Sequence, residues 1–289
     1  MLPRSIAIHD GMFHADELVS CCLLYLFDYI DKEKIHRTRD RVSIEQCEFI
    51  CDVGGIYDEK KKMFDHHQQD YRGKLSSAGM VLLFLKNNKK INDDVYNFLN
   101  LSFILGVDLE DNGFLKRQDG VSTFSSIIDS FLPINYNVSR KELHKCFMKA
   151  FEFVYEFLKN LIDRYHYIRQ SKDYVNDIMK EGQGGNLLIF DKAIPWMDNF
   201  FMLDGDSHSA LFMIMPTGNH WKLRTIPKNH KDKMSMRMPL PKNWAGLHDE
   251  DLKKESNIKG AIFCHKGLFI SIWETKEDAI KAFNYTKKG

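Results

Sequence analysis

Ser5-Ile6-Ala7-Ile8-His9-Asp10-Gly11-Met12-Phe13-His14-Ala15-Asp16-Glu17 is the stretch that decides the fold of this 289-residue chain. It opens on a short apolar run, passes through a glycine-containing loop, and then changes period. The run predicts a strand over 5–9. From residue 15 to 29, Leu18, Cys22, Tyr25, Leu26 and Tyr29 share one helical face, which predicts a helix. Asp16 and Glu17 lie in its first turn, where negative charge suits the helix dipole. Working outward, strands are predicted over 34–38, 48–53 and 62–65. Gly54-Gly55 ends the third of these four. Helices are predicted over 76–86 and 93–105. This rhythm of strand and helix argues for an α/β unit with a mainly parallel sheet.

Farther along, Pro133 marks a break, and 140–168 reads as one long helix. Its apolar residues at 143, 147, 151, 154, 158, 161 and 165 form a packing stripe. Gly182-Gln183-Gly184-Gly185 suggests a boundary. The expectation is an N-terminal lobe with a helical connection over 1–182 and a smaller α/β lobe over 183–289. The second has strands over 186–190, 211–215, 221–226, 261–264 and 268–273, and a closing helix over 275–285.

Composition excludes several classes. A hydrophobic share of 44% and a charged share of 28% are those of a globular protein, not a disordered chain. Lys plus Arg is 41 against Asp plus Glu 40, so bulk charge does not bind nucleic acid; only a local patch can. No apolar run approaches the ~20 residues of a membrane span. The first residues lack the pattern of a secretory signal or transit peptide. A cytoplasmic or nuclear location without a membrane partner is expected. The six cysteines read as thiols, and Cys47-x-x-x-Cys51 has no second pair with which to hold zinc.

The chemistry sits at predicted element ends. His9 to Asp16 reads H-x-G-x-x-H-x-D after the first strand. Asp52 closes the third, Asp65-His66-His67 follows the fourth, and Asp108 and Asp111 follow an apolar helix. Each piece alone has a plain reading: a loop histidine, a helix-start carboxylate, a turn aspartate. Together they are four clusters of ligand type, three of them delivered to the edge where open parallel sheets bind ligands. Imidazole and carboxylate without thiolate suit Mn²⁺, Fe²⁺ or Co²⁺ and accommodate Zn²⁺. The donors exceed the needs of one ion. Two ions about 3.5–4 Å apart sharing a carboxylate would clamp a phosphoryl displacement.

Asp65-His66-His67, with the upstream His/Asp motif and the single aspartates, resembles the DHH phosphoesterase superfamily. More narrowly, the chain resembles the melanocyte-proliferating-gene (Myg) exonuclease family, also described as predicted metal-dependent hydrolases. The stretches that match are 8–17, 37–40, 52–58, 64–68, 75–79, 107–113 and 237–247. The resemblance implies a DHH-like N-terminal lobe holding two divalent ions, Mn²⁺ foremost. One would take His9, His14 and Asp52; the other would take Asp16, Asp52, His66 and Asp108. It places His67 on the substrate phosphate, with Asp65 orienting a histidine from behind. Family members tend to carry a His followed by Gly-Phe-Ile-Gly-Gly near the C-terminus. Here His265 and Phe269-Ile270 remain, while Leu268, Ser271 and Ile272 replace glycines.

Outside the metal ligands, Lys222, Arg224, Lys228, Lys231, Lys233, Arg237 and Lys242 crowd one segment. It is either a solvated loop or a surface that tracks phosphates. Arg37 and Arg39 either hold a phosphate or pair with carboxylates. Arg37, Arg39, Lys228, Lys231, Arg237 and His265 are the substrate-binding candidates. Metal-dependent hydrolysis of phosphodiesters is expected, by an exonuclease acting on RNA or short oligonucleotides. The alternatives are a small-molecule phosphatase or pyrophosphatase, or a non-catalytic binding protein that keeps the fold.

Overall fold

The computed structural model describes residues 1–116, 118–135 and 137–287. They form two compact units, Met1–Tyr165 and His166–Gly289.

In the first unit, β1 (Leu2–Ile8) is an inner strand of a five-stranded sheet. It pairs in parallel with β2 (Ile35–Arg37) and β3 (Cys47–Cys51), and β3 pairs in parallel with β5 (Met63–Phe64). The short β4 (Tyr57–Asp58) closes the edge antiparallel to β5, giving the order β2-β1-β3-β5-β4. The mainly parallel sheet expected from the sequence is thus present. Ile6 and Ile8 face the main core while Ala7 faces a smaller one with Ile44 and Ile50, as a strand buried on both faces requires. Register sets which residues emerge together at the sheet edge. Ala7 pairs with Ile50, and Ile50 with Met63. Two residues farther along each strand, His9, Asp52 and Asp65 therefore leave the sheet side by side.

Helix α1 (Ala15–Leu26) packs against α3 (Ser77–Asn87), and α2 (Arg41–Gln46) lies on the other side of the sheet. The predicted helix over 93–105 extends farther. It runs through α4 (Asp93–Leu99), a π-helical turn over Asn100–Ile104 and α5 (Leu105–Asp111). A short α6 (Phe124–Asp129) comes next. The long α7 (Arg140–Gln170) buries the predicted stripe through Leu143, Phe147, Phe151, Val154, Leu158 and Tyr165. Each such side chain contributes roughly 1.5–3 kcal/mol by leaving water.

In the second unit, α8 (Lys172–Glu181) leads into a mixed sheet. Its strands are β6 (Leu187–Ile189), β7 (Phe212–Thr217), β8 (His220–Thr225), β9 (Ala261–Cys264) and β10 (Ile270–Trp273), in the order β6-β7-β8-β10-β9. Only β6 and β7 are parallel. Helices α10 (Asp249–Ser256) and α11 (Lys276–Thr286) cover one face, with Leu223, Trp244 and Trp273 between. On the other face, α8 and α9 (Trp196–Met202) bury Leu188, Phe190 and Met213. The Gly182–Gly185 turn, where the sequence suggested a boundary, lies inside this unit. Gly182 serves packing: a Cβ there would come 2.5 Å from Leu188 Cδ2. Among the described residues, no helix is long and apolar enough to cross a membrane.

Candidate metal centre

The site begins with His9, the first residue past β1 and nearly buried. Its Nδ1 lies 2.9 Å from the Asp10 carbonyl oxygen, so that nitrogen carries the hydrogen. Nε2 then faces two carboxylates, 3.1 Å from Glu17 Oε1 and 3.3 Å from Asp52 Oδ2. Glu17 also accepts from the His14 backbone N–H at 2.9 and 3.0 Å, closing the start of α1. The His14 ring stands 5.2 Å from that of His9. His9, His14, Glu17 and Asp52 each offer a ligand atom, all within 4.8 Å of one another.

Asp52 links this group to a second. It adopts a left-handed φ of +53°, followed by Gly54 and Gly55, also at positive φ. Aspartate tolerates that conformation at a cost of about 1 kcal/mol. Its Oδ1 lies 3.6 Å from His66 Nε2 and 3.3 Å from His67 Nδ1. His66 Nε2 also meets Asp111 Oδ2 at 3.0 Å, and Asp16 completes the set of Asp16, His66 and Asp111. Asp16 is 0% exposed, and neither of its oxygens has a hydrogen-bond partner. A bare carboxylate so placed costs several kcal/mol as an anion unless a cation meets it.

The titrations reflect this crowding. Burial alone would lower the His9 pKa, but its contacts with Asp52 and Glu17 override that and raise it to about 11. His66 is likewise raised to about 11, against burial, by Asp111 and Asp52. Asp52 is held well below the usual carboxylate range: burial opposes this, and His66 and His9 outweigh it. Burial pushes Asp16 up, and Asp52, Glu17 and Asp111 push it further. The bare protein thus compensates its clustered carboxylates with protons on histidine. A divalent cation displaces such protons when it binds. Imidazole nitrogens, carboxylate oxygens and the unpartnered Asp16 oxygens fit that cation.

Of the expected ligands, the structure brings together His9, His14, Asp16, Asp52 and His66. Asp108 is displaced. Its Oδ1 accepts from the Ser76 N–H at 3.0 Å, the Ser76 hydroxyl at 2.7 Å and the Gly79 N–H at 3.1 Å, at the start of α3. A Cβ on Gly79 would lie 2.3 Å from Asp108 Oδ2, so glycine is needed there. Asp111, nearly one turn later on α5, stands where Asp108 was expected. The π-helical turn just upstream breaks the 3.6-residue period from which the helix face would be read. Glu17 also joins the cluster, having looked like a helix-dipole charge.

Asn112, like Glu17, had no site role in the sequence. Its Nδ2 donates to the Asp108 carbonyl at 2.9 Å and the Lys74 carbonyl at 3.3 Å. That fixes the amide, so Oδ1 is the atom 3.3 Å from His66 Nδ1. His66 therefore carries its Nδ1 hydrogen toward Asn112 and turns Nε2 toward the carboxylates. A ligand-type histidine followed by a turn aspartate and asparagine was the available signal.

Asp65 Oδ1 accepts from the His67 backbone N–H at 3.0 Å and from its ring Nδ1 at 2.9 Å, while Oδ2 accepts from the Gly55 N–H at 2.6 Å. The His67 side chain is 65% exposed. Arg37 donates to the Gly11 carbonyl and lies over the Phe13 and Phe147 rings, bracing the His9–His14 loop. Arg39 is exposed, with Nε 3.4 Å from Asp10 Oδ1. In the second unit, Lys228 and Lys231 are exposed on a loop. Arg237 is committed to the fold: it donates to the carbonyls of Gly205, His208, Ala210 and Pro227. His265 Nδ1 accepts from the Gly267 N–H at 2.9 Å.

Residues 5–285 match the model of the MYG1_exonuc family, described as "Uncharacterised protein family (UPF0160)". The chain belongs to this family. It is 42% identical over 285 residues to a MYG1 protein of Chlamydia pneumoniae, covering 99% of this chain and 97% of that one. A MYG1 protein of Caenorhabditis elegans is 30% identical, over 95% of this chain and 92% of its own. A human protein named MYG1 exonuclease is 29% identical, over 97% of this chain and 85% of its own. A solved structure of RecJ from Thermus thermophilus in complex with Mn²⁺ aligns with 99% of this chain and 52% of that one, at a TM-score of 0.31 and 11% identity.

Proposed function

We propose that this chain is a metal-dependent phosphodiester hydrolase, an exonuclease that acts on RNA or short oligonucleotides with two divalent ions, Mn²⁺ foremost. One observation carries the reading. The two oxygens of Asp52 face different histidines, Oδ2 toward His9 and Oδ1 toward His66 and His67. Such a carboxylate can serve two donor sets at once. His9, His14 and Asp52, with Glu17 beside them, would hold one ion; Asp16, Asp52, His66 and Asp111 would hold the other. When bound, such ions lower the pKa of a coordinated water and neutralise charge on an attacked phosphate. The relatives named exonuclease support a phosphodiester as the bond that is broken.

The protein's own groups do the positioning. Asp65 fixes the His67 ring with its hydrogen on Nδ1, leaving Nε2 as the free, exposed edge. That edge meets a phosphate oxygen and adds a contact as charge develops. Arg39 stands beside Asp10, in the loop that carries His9 and His14, and offers a further phosphate contact. In the second unit, His265 is a further contact for the substrate, whereas the exposed Lys228 and Lys231 add only a screened charge.

The test is hydrolysis of bis(p-nitrophenyl) phosphate, end-labelled RNA, end-labelled DNA and pyrophosphate by Mn²⁺-loaded and by chelated protein. Diester cleavage confined to the loaded protein is expected. Turnover of pyrophosphate alone would make it a small-molecule phosphatase. Tight metal binding with no turnover of any ester would make it a binding protein.

A further inference from the structure

The two faces of the second sheet differ in character. Leu223 and Thr225 of β8 point into the face sealed by α10 and α11 and are buried. The opposite face is covered by α8 and α9 at its β6–β7 end, where Met213 and Met215 are buried. Toward this second face β8, the central strand, sends Lys222 and Arg224. Register fixes their neighbours. Lys222 lies between Met215 and Ile272, and Arg224 between Met213 and Ile270. Beyond Ile272 stands Phe263 of β9. A central strand between apolar neighbours ordinarily carries apolar residues. Here it carries two adjacent cations.

Neither cation has an anionic partner among the described residues. Arg224 Nε is buried without a hydrogen-bond partner, and its guanidinium lies 5.7 Å from the centre of the Phe269 ring. Burial lowers the pKa of both groups, and Arg224 lowers that of Lys222 further. Half-desolvated like charges on one face raise the free energy of the protein, and an anion placed against them relieves it. The loop lysines differ. Lys228, Lys231 and Lys233 are exposed, and Lys233 has Asp198 at 3.9 Å. Water already solvates them, so an anion gains little there.

Aromatic rings border the same cations. His265 lies 4.5 Å from Phe269 and 6.2 Å from Phe263, centre to centre. Unpaired cations beside π faces are the chemistry that holds a single strand: phosphates on the charges, a base on a ring. We propose that this open face of the second sheet binds single-stranded nucleic acid, with Lys222 and Arg224 on phosphate oxygens and Phe263 or Phe269 against a base. The inference rests on the hydrolase reading only in choosing nucleic acid among polyanions.

Anisotropy of a fluorescein-labelled ten-residue oligouridylate, in EDTA across a salt series, tests it without turnover. Lys222→Met/Arg224→Met is expected to weaken binding tenfold or more and to flatten the log–log salt slope by about 1.4, at about 0.7 per phosphate contact. Phe269→Ala is expected to weaken binding about fivefold with the slope unchanged, as lost stacking requires. Without RNA, the double variant should melt at or above the parent temperature, because it loses unpaired charge; this separates lost binding from a lost fold. Should it fail to fold, Lys222→Gln and Arg224→Gln are measured singly, each expected to lose at least threefold. Parental affinity in the folded variants, no binding by the parent, or a larger loss from Lys228→Ala/Lys231→Ala would overturn the proposal. So would decaglutamate competing as well as RNA, which would assign the face to an acidic polypeptide. Hydrolysis of bis(p-nitrophenyl) phosphate by the Mn²⁺-loaded parent is scored separately, so failure of the catalytic reading is visible by itself.

Discussion

The edge of the first sheet and the open face of the second treat buried charge in opposite ways. At the first, carboxylates and imidazoles are packed so closely that His9 and His66 are held protonated to compensate Asp52, Glu17 and Asp111. At the second, Lys222 and Arg224 share a face with methionine, isoleucine and phenylalanine and have no counter-charge among the described residues. The first set is of the type that binds cations, the second of the type that binds anions. A hydrolase of polyanions needs both, and each carries an unfavourable charge distribution until its ligand arrives.

The sharpest way to break this comparison is to remove the residue that joins the two donor sets. Asp52→Asn keeps a side chain that tolerates the left-handed φ of +53°, so the fold is retained. It removes the negative charge that faces both His9 and His66. Loss of about 10³-fold or more in diester hydrolysis is expected, with weakened binding of both ions by calorimetric titration with Mn²⁺. Full metal stoichiometry and near-parental turnover would show that Asp52 joins nothing.

His67→Ala probes the outward edge of the same cluster. Its ring is exposed and tied back by Asp65, so metal content should hold while kcat falls by about 10²–10³-fold. Loss of one metal equivalent instead would make His67 a ligand through Nδ1, which does lie 3.3 Å from Asp52.

Much of this arrangement was legible in the sequence, and the reason is geometric. Parallel strands in register release their next residues at one edge, so His9, Asp52 and Asp65 could be placed together from strand ends alone. Residues set by helix rotation were harder. Asp108 and Asp111 lie on one short helix behind a π-helical turn, and composition cannot say which one turns outward. Glu17 had a sufficient explanation as a helix-start charge. Lys222 and Arg224 merged with the exposed lysines that come after them, because a run of basic residues does not reveal that two belong to a central strand.

Asp108 offers a smaller test, on stability. It is 1% exposed, and burial raises its pKa to about 6 against the pull of its bonds to Ser76 and Gly79. The unfolded chain releases this proton near its ordinary value of 3.8. Between those two pH values the native state holds the proton and the unfolded state does not, so stability falls as pH rises. The contribution is present below about pH 4 and lost above about pH 6, a change of up to about 3 kcal/mol. Asp108→Asn lacks the titration. In EDTA, its unfolding free energy relative to the parent should rise across that window. A flat difference would mean that Asp108 is ionised throughout, as expected of a carboxylate that water or a cation reaches.

The smallest expected effect falls on Asn112, and it asks whether the cation-binding edge is preset by the protein. The Asn112 amide is pinned by two backbone carbonyls, and its oxygen holds the Nδ1 hydrogen of His66. With the ring held, Nε2 is aimed at the cluster before any ion arrives. In Asn112→Ala the ring is free to rotate. Mn²⁺ affinity should drop about tenfold, at the low end for residues that orient a ligand from behind, and stoichiometry should be unchanged. Nitrogen-15-edited proton spectra of the metal-free protein should show a hydrogen-bonded His66 Nδ1–H that exchanges slowly with water in the parent and rapidly in the variant. Rapid exchange in both would mean that Asn112 is merely the cap of α5. The first-sheet edge would then owe its order, like the open face of the second sheet, to the ligand it receives.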